Sequence, residues 1–370
     1  MRTLGLVVLV WSLAASHAAL AKKKKGDQEP VTQVLQLPKD PPLAIVAETS
    51  RLVFHVTPLS AKGLLSAQVR EALKVLPRIT GGATIVKLRA FVAGSGDLRR
   101  VQAIVSETFT EHHWPLPVLS VVQVGGLPLE GAQVVFESIS MAKKEVNPSG
   151  LVFLAGQQVT SAGPMDPVAP LAEKSLAGLR TAVTAAGSDT GDVLRGTCYL
   201  SSLGDLAKVR AQVASSFPAA AWNFVQIQRA PARGIVECEA VARGRAAGST
   251  ALEFLNPEGL TKSANYSQLA RVTAPRIALT GTQVAFGIQE ADAKLAFSRL
   301  EKELVQVGAS LKNAAMSSVY PLSESSANLV RKVRFEYLDQ ARPPASTMLL
   351  FEGLPSMDAT FAVDVVAVVR

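Results

Sequence analysis

The stretch GDLRRV at residues 96–101 recurs as GDLAKV at 204–209 and, more loosely, as SANLVR at 326–331. Each copy begins a predicted helix, and an apolar, strand-like run comes before that helix. After the helix come a proline, an apolar run, a second proline and a final apolar run. The second of these prolines recurs roughly every 100 to 125 residues, which suits whole small domains better than solenoid units of about 20 to 50 residues. These second prolines are Pro128, Pro231 and Pro355. The pattern therefore predicts three copies of one domain in a single chain.

We place the three copies at residues 51–141, 150–243 and 255–370. The predicted helices, each with one apolar face, cover residues 66–76, 97–111, 167–186, 205–217, 291–307 and 326–339. The strands are continuous apolar runs, which need cover on both faces. Because helices can cover only one face, the other face of each sheet should pack against another copy around a central, barrel-like core. The predicted fold class is α+β, with three tandem domains forming an intramolecular pseudo-trimer in a monomeric chain.

The amino terminus has the features of a targeting segment. Residues 1–21 combine Arg2, a short apolar run and an A-x-A site, which predicts a signal peptide and a periplasmic or secreted protein. The apolar run is shorter than the roughly 20 residues that span a bilayer, so no membrane span should remain after cleavage. Four lysines directly after the site resist translocation, and an uncleaved anchor is the alternative. Residues 22–50 are predicted to form a flexible tether.

Composition excludes several classes of function. The net charge is +8, but aromatic residues make up 5% of the chain and do not alternate with a basic stripe, so a nucleic-acid partner is not expected. Only four histidines are present, and His112 and His113 are adjacent, so no metal site is predicted. No phosphate-binding loop or dinucleotide fingerprint occurs, and no cofactor is expected. Cys198 and Cys238, both on predicted strands of the second copy, can pair in an oxidising compartment or serve as small buried hydrophobic residues.

Several stretches carry a family resemblance. GLVFLAGQ at 150–157 is similar to an opening hairpin that ends in Ser-Gly-Gln, and VECEAVA at 236–242 is similar to the last strand of the same fold. ANYSQ at 264–268 is similar to an amino-terminal Tyr-Ser-Gln element. Together they resemble the RidA (YjgF-like) family of chorismate-mutase-like fold, known for enamine and imine deaminases and carrying an older endoribonuclease label. The resemblance implies a homotrimer with a ligand cleft at each interface, here fused head to tail.

The resemblance also implies site residues. The family's carboxylate-binding Arg lies nine residues before the second proline, where this chain has Leu119, Trp222 and Ser346, so all three copies lack it. A Glu six residues after that proline corresponds to Glu237 in the second copy, and to Val134 and either Phe361 or Ala362 elsewhere.

We therefore take Glu237 as the candidate catalytic residue and Tyr266, Trp222, Leu119 and Ser346 as candidate ligand-binding residues, with one composite cleft containing Glu237 and Tyr266. Alternatively, Glu237 is an exposed strand carboxylate, Trp222 fills an interface, and Tyr266 packs with its hydroxyl on the backbone. Arg210 and Arg331, on the second helices, can return a positive charge to a cleft or simply be solvated.

Three functions remain open at this level. The missing Arg favours a binding protein that uses an altered cleft at a domain interface for an uncharged or apolar small molecule. This hypothesis predicts that Trp222 lines a cleft. The second is an imine or enamine deaminase that acts through Glu237, and the third is a structural or partner-binding module with closed clefts. Fold alone does not decide among them.

Overall fold

The apolar runs of the three repeats form three β-sheets in the computed structural model, which describes residues 37–246, 248 and 250–370. The predicted signal peptide, 1–21, and residues 22–36 of the predicted tether lie outside the described residues. Pro38–Arg370 form one compact unit. In the part of the chain that the structure describes, no helix is both long and apolar enough to cross a bilayer.

The first sheet is built by residues 52–141. In chain order, the first elements are β1 (Ala44–Glu48), β2 (Leu52–Val56), α1 (Leu65–Ile79), β3 (Thr84–Ala93), α2 (Arg99–Glu111), β4 (Val118–Val124) and β5 (Val134–Met141). The strand order is β2-β5-β3-β4, and β1 belongs to the third sheet. Strands β3 and β4 are parallel, whereas β5 runs antiparallel to both of its neighbours.

The second sheet repeats this order. Its elements are β6 (Leu151–Thr160), α3 (Ala169–Ala185), β7 (Val193–Leu200), α4 (Leu206–Ser216), β8 (Ala221–Gln226), β9 (Ile235–Arg243), β10 (Leu252–Leu255) and β11 (Leu269–Val272). The order is β10-β11-β6-β9-β7-β8, with β7 and β8 parallel. Cys198 on β7 lies directly opposite Cys238 on β9, and the two form a disulfide.

The third sheet follows the same plan. Its elements are β12 (Arg276–Thr280), β13 (Gln283–Phe286), α5 (Glu290–Gln306), β14 (Ala314–Pro321), α6 (Glu324–Val333), β15 (Ala345–Met348) and β16 (Ala359–Val368). The order is β1-β12-β16-β14-β15, and β13 also pairs with β16. The parallel pair is again formed by the two strands on either side of the second helix, here β14 and β15.

The predicted helices are confirmed with end shifts of a few residues, except that the last helix stops at Val333 and continues as a short 3-10 turn, Arg334–Glu336. Two differences concern the segment boundaries. The flexible tether predicted for 22–50 is wrong at its end, because Ala44–Glu48 is a strand that hydrogen-bonds to β12. Residues 252–272, mostly assigned from sequence to the third copy, instead extend the second sheet through β10 and β11. Edge strands gain ladder hydrogen bonds wherever a neighbouring segment can reach them.

The helix-free faces of the three sheets pack against one another. One apolar cluster contains Phe54, Phe153 and Met316, which come from the first, second and third sheets. A second cluster likewise joins Phe91, Tyr199 and Tyr320, all of them fully buried. Each helix pair covers the outer face of its own sheet with a separate core. Leu295 on α5 lies outside these cores and is 49% exposed.

Charged residues lie between these two apolar clusters, in a buried ionic network. It consists of three cations and three carboxylates: Lys87, Arg89, Arg195, Glu137, Glu239 and Asp364. Lys87 Nζ lies 2.7 Å from the Asp364 carboxylate, so this pair joins the first and third sheets. Arg89 lies 2.6 Å from both Glu137 and Glu239 and joins the first and second sheets. The three carboxylates occupy equivalent positions on β5, β9 and β16.

Candidate functional site

Strand register shows which positions of the three sheets are equivalent. Leu119, Trp222 and Ser346 each lie beside the matching residue of the central strand, namely Leu88, Gly196 and Ser317. Counting nine residues back from the second proline therefore gives the same structural position in all three sheets.

Strand register moves the first-sheet equivalent of Glu237 by one residue from the position found by counting six residues after the second proline. Glu237 lies opposite Tyr199, and the matching partners of Phe91 and Tyr320 are Val135 and Ala362. The equivalent residue in the first sheet is thus Val135 and not Val134, and in the third sheet it is Ala362. Only the second sheet carries a carboxylate at this position.

A cleft of about 140 Å³ opens between the second and third sheets. Three of the predicted site residues meet in it, Glu237, Tyr266 and Ser346. Its other lining residues are Gly156, Gln158, Ser263, Asn265, Arg331, Arg334 and Met348. The cleft is therefore composite: β6 and β9 of the second sheet form one wall, β15 and α6 with its 3-10 extension form the other, and the segment before β11 closes one end.

Glu237 lines this cleft and is 4% exposed. It accepts a hydrogen bond of 3.1 Å from Gln158 Nε2. Burial, reinforced by the charge of Glu239 two residues along the strand, raises the pKa of Glu237 to about 8, against the opposing effect of the Gln158 hydrogen bond. Glu237 is consequently protonated at neutral pH and can donate a hydrogen bond into the cleft.

A bend in β6 makes room for this group. The ladder between β6 and β9 shifts register between Leu154 and Gln157, which marks a bulge. Gly156 lies in the bulge, and a Cβ atom added there would be 1.9 Å from Glu237 Oε1. A side chain at this position would therefore force the Glu237 carboxyl group or the bulge to move.

Arg334 is the most unusual side chain of the cleft. It is 2% exposed, and its Nη2 atom donates to the Asn265 carbonyl oxygen. Among the described residues, no carboxylate lies within ion-pair distance of Arg334, and its Nε atom has no hydrogen-bond acceptor. Burial and the neighbouring charge of Arg331 lower the pKa of Arg334 to about 10, so it stays a cation at neutral pH.

Arg331, one helical turn earlier, is in a different situation. Its guanidinium donates to Asn328 Oδ1 at 2.6 Å and lies 3.9 Å from the Glu324 carboxylate, near solvent. Arg331 thus has a carboxylate neighbour near solvent, whereas Arg334 has none among the described residues and its guanidinium lies 4.8 Å from the Phe335 ring centroid.

Tyr266 and Ser346 complete the polar surface. Burial and the charge of Glu237 raise the pKa of Tyr266, so its phenol stays protonated. Gln157 Nε2 donates to Gln268 Oε1 at 2.7 Å, which fixes the segment that carries Tyr266. Ser346 accepts a 3.0 Å hydrogen bond from the Ser317 hydroxyl.

Leu119 and Trp222 do not line this cleft. Leu119 is buried in the helix-facing core of the first sheet, and its carbonyl oxygen accepts a hydrogen bond from the Thr282 amide of the third. Trp222 lies over Gly196 and packs against Phe217 and Phe224. Trp222 therefore packs in the outer, helix-facing core of the second sheet, and neither lines this cleft nor fills an interface between copies.

The sequence analysis does not predict Arg334, because on this helix it names only Arg331. The signal available was the spacing of the two residues, since positions i and i+3 share a helix face.

Elsewhere, no group of three or more His, Cys, Asp or Glu residues within the described chain is arranged to hold a metal ion.

Comparisons with known proteins give matches to parts of the chain. Residues 137–244 match the family model described as Endoribonuclease L-PSP. No curated protein matches. Among solved structures, the YjgF gene product of E. coli is 28% identical, with 27% of this chain and 85% of that chain covered and a TM-score of 0.23.

Two further structures are similar over comparable lengths. E. coli TdcF with bound serine is 27% identical, with 28% of this chain and 90% of that chain covered and a TM-score of 0.22. The YyfB protein of the conserved Rid family from Yersinia pestis is 18% identical, covering 32% of this chain and all of its own, with a TM-score of 0.29. The segment 137–244, which runs from within β5 to the end of β9, thus matches the Endoribonuclease L-PSP family model.

Proposed function

We propose that the cleft between the second and third sheets binds a small organic anion. Arg334 is its cationic partner, and the protonated Glu237 donates a second hydrogen bond. The observation that carries this proposal is the burial of Arg334 without a carboxylate partner among the described residues. A buried cation without a counter-ion is costly, and a bound carboxylate would compensate it with charge-assisted hydrogen bonds.

This proposal changes the ligand class expected from sequence. The missing strand Arg pointed to an uncharged or apolar ligand, but Arg334 brings a guanidinium into the same cleft from the carboxyl end of α6. Glu237 does not oppose an anion because its raised pKa keeps it neutral at pH 7. Two cations therefore line the cleft, Arg331 and Arg334, and Arg334 has no carboxylate partner among the described residues.

We also propose the architecture around the site: three tandem RidA-like copies in one monomeric, exported chain, with Glu237, Tyr266 and Ser346 as site residues. The recurring strand order and the parallel pair in each sheet support the three copies. Export is supported by the leader-like amino terminus and by the Cys198–Cys238 disulfide, since disulfides persist chiefly in oxidising compartments.

Calorimetric titration with butanoate at pH 7 tests the binding proposal. The wild-type protein should bind butanoate, and Arg334→Met should weaken binding at least tenfold, about the loss of one charge-assisted hydrogen bond. Arg342→Met is the matched control, because Arg342 is exposed and pairs only with Asp339 at 3.1 Å. Equal affinities in the wild type and the Arg334 variant would refute the role of Arg334.

Imine hydrolysis is the second candidate function, and the raised pKa of Glu237 favours it. A carboxyl group with a pKa of about 8 can both give and take a proton near neutral pH. In this reaction water adds to the carbon of the C=N bond and ammonia leaves, so that a 2-oxo acid remains. Imino acids formed by an amino-acid oxidase, with semicarbazide trapping unreacted imine, supply the assay.

The two functions separate in the Glu237→Gln variant. Hydrolysis through Glu237 predicts turnover by the wild type that is lost in Glu237→Gln while butanoate binding remains. A binding protein predicts background turnover in both. A purely structural role is disfavoured because this cleft is open and carries an uncompensated charge.

A further inference from the structure

We infer that the anion site continues into an apolar subsite, so that the ligand is a carboxylate with an unbranched apolar tail. The inference rests on the proposed function, because the carboxylate end is the one placed at Arg334. A second cleft of about 90 Å³ adjoins the first and shares Gln158, Arg331 and Met348 with it. Its apolar lining consists mainly of Ile227, Ile235, Ala327, Met348, Leu349 and Leu350.

Two strands change from polar to apolar in the same direction along this channel. On β9, Glu237 lines the anion end and Ile235 lines the second cleft, and residues two apart point to one face of a strand. On the opposite wall, Ser346 lines the anion end, Met348 lines both clefts, and Leu350 lines the second. The two walls thus define one axis with a polar and an apolar end.

Helix α6 follows the same axis. Arg334 and Arg331 line the anion end, and Arg331, Ala327 and Glu324 line the second cleft. These residues are three or four positions apart, so they form one face of the helix and its extension. Strand β9, the segment from Ser346 to Leu350, and α6 with its extension thus each line both clefts, and together they define the axis along which the tail would lie.

The buried cation of the two clefts, Arg334, lies at the anion end, whereas the charged residues Arg233 and Glu324 of the second cleft are exposed. The guanidinium of Arg331, at the junction, is already bonded to Asn328 and lies near Glu324, whereas Arg334 has no anionic partner among the described residues. The second cleft, of about 90 Å³, has room for several groups the size of a water molecule. A chain a few methylene groups long fits this space, and none of the described residues that line it is a buried cation.

Titration of the whole protein with butanoate, hexanoate and octanoate tests the inference. Each methylene group that enters the subsite should increase affinity roughly threefold to fourfold until the cleft is filled. Leu350→Asn should flatten this dependence on chain length. Leu295→Asn is the matched control, because Leu295 is half-exposed on α5 and should leave the dependence unchanged. Ile235→Asn tests the facing wall and serves if Leu350→Asn does not fold.

The outcomes separate the two claims. Arg334-dependent binding of all three acids with equal affinity would overturn the apolar subsite and leave the anion site in place. A failure of every acid to bind would overturn the proposed function and the subsite together. A chain-length dependence that persists in both wall variants would place the tail elsewhere and would also overturn the inference.

Discussion

At the scale of single residues, Glu237 and Arg334 line the same cleft without forming an ion pair with each other. Glu237 avoids the cost of a buried charge by keeping its proton, whereas Arg334 cannot lose its proton at neutral pH. The site thus contains a neutral hydrogen-bond donor, Glu237, and a cation, Arg334, without a carboxylate partner among the described residues. Both side chains lower stability for the sake of a ligand, as functional sites often do.

The burial of Glu237 should make stability depend on pH. Its pKa is about 8 in the folded protein and near 4.5 in the unfolded chain, so the folded state binds the extra proton between these values. Stability from this group is complete below pH ~4.5 and decreases by up to ~1.4 kcal/mol per pH unit as the pH rises toward 8. Urea denaturation from pH 5 to 8.5 should show this decrease in the wild type relative to Glu237→Gln. Parallel curves for the two proteins would mean that Glu237 is already ionised.

Arg334→Met should not destabilise the protein. Removing an uncompensated buried guanidinium relieves a desolvation cost, and methionine fills most of the same volume. We expect an unchanged or increased free energy of unfolding, by about 1 kcal/mol, together with the loss of butanoate binding. Urea denaturation at pH 7 measures the first, with Arg342→Met as the exposed control. A loss of several kcal/mol would instead assign Arg334 a structural role through its bond to Asn265.

At the scale of elements, the bulge in β6 positions the carboxyl group. An alanine at 156 would overlap Glu237 Oε1 and either displace that side chain or flatten the bulge. Gly156→Ala should cost ~1–3 kcal/mol and weaken butanoate binding. Gly191→Ala is the control, since a Cβ there meets no atom within 4 Å. Unchanged stability and affinity in Gly156→Ala would show that the close approach is not required.

Elements were largely predictable from sequence, and the site was only partly so. Apolar periodicity located the helices, and the proline spacing brought Leu119, Trp222 and Ser346 to one equivalent position. Pairing across copies was not visible, because an edge strand such as Ala44–Glu48 takes whichever partner the tertiary fold brings near. Arg334 was missed because its burial depends on the segment around Asn265, about 70 residues earlier in the chain.

At the scale of the whole molecule, the ionic network at the centre fixes how the sheets meet. Glu137 accepts hydrogen bonds from Arg89, Arg195, Thr197 and Asn223. Burial would raise the pKa of Glu137, but the charges of Arg195 and Arg89 and the bonds from Thr197 and Asn223 outweigh it and lower the pKa to about 2. The third sheet contributes one carboxylate and no cation to the network, so the three sheets are not interchangeable.

Breaking this network should destabilise the protein as a unit. Glu137→Gln leaves Arg89 and Arg195 with fewer buried counter-charges, and we expect a loss of ~3–5 kcal/mol in the free energy of unfolding. Arg99→Met, at an exposed pair with Asp97, should leave it nearly unchanged. Urea denaturation at pH 7 compares them. A loss below ~1 kcal/mol in Glu137→Gln would show that the network contributes little to stability.

The pH dependence of butanoate affinity tests the anion site most directly, because it requires both Arg334 and a protonated Glu237. We predict that the wild-type affinity is constant from pH 6 to 7 and falls toward tenfold per pH unit above about 8, where the Glu237 carboxylate would repel the ligand. Glu237→Gln should retain its affinity to at least pH 9. The same pH profile in the wild type and in Glu237→Gln would contradict the account.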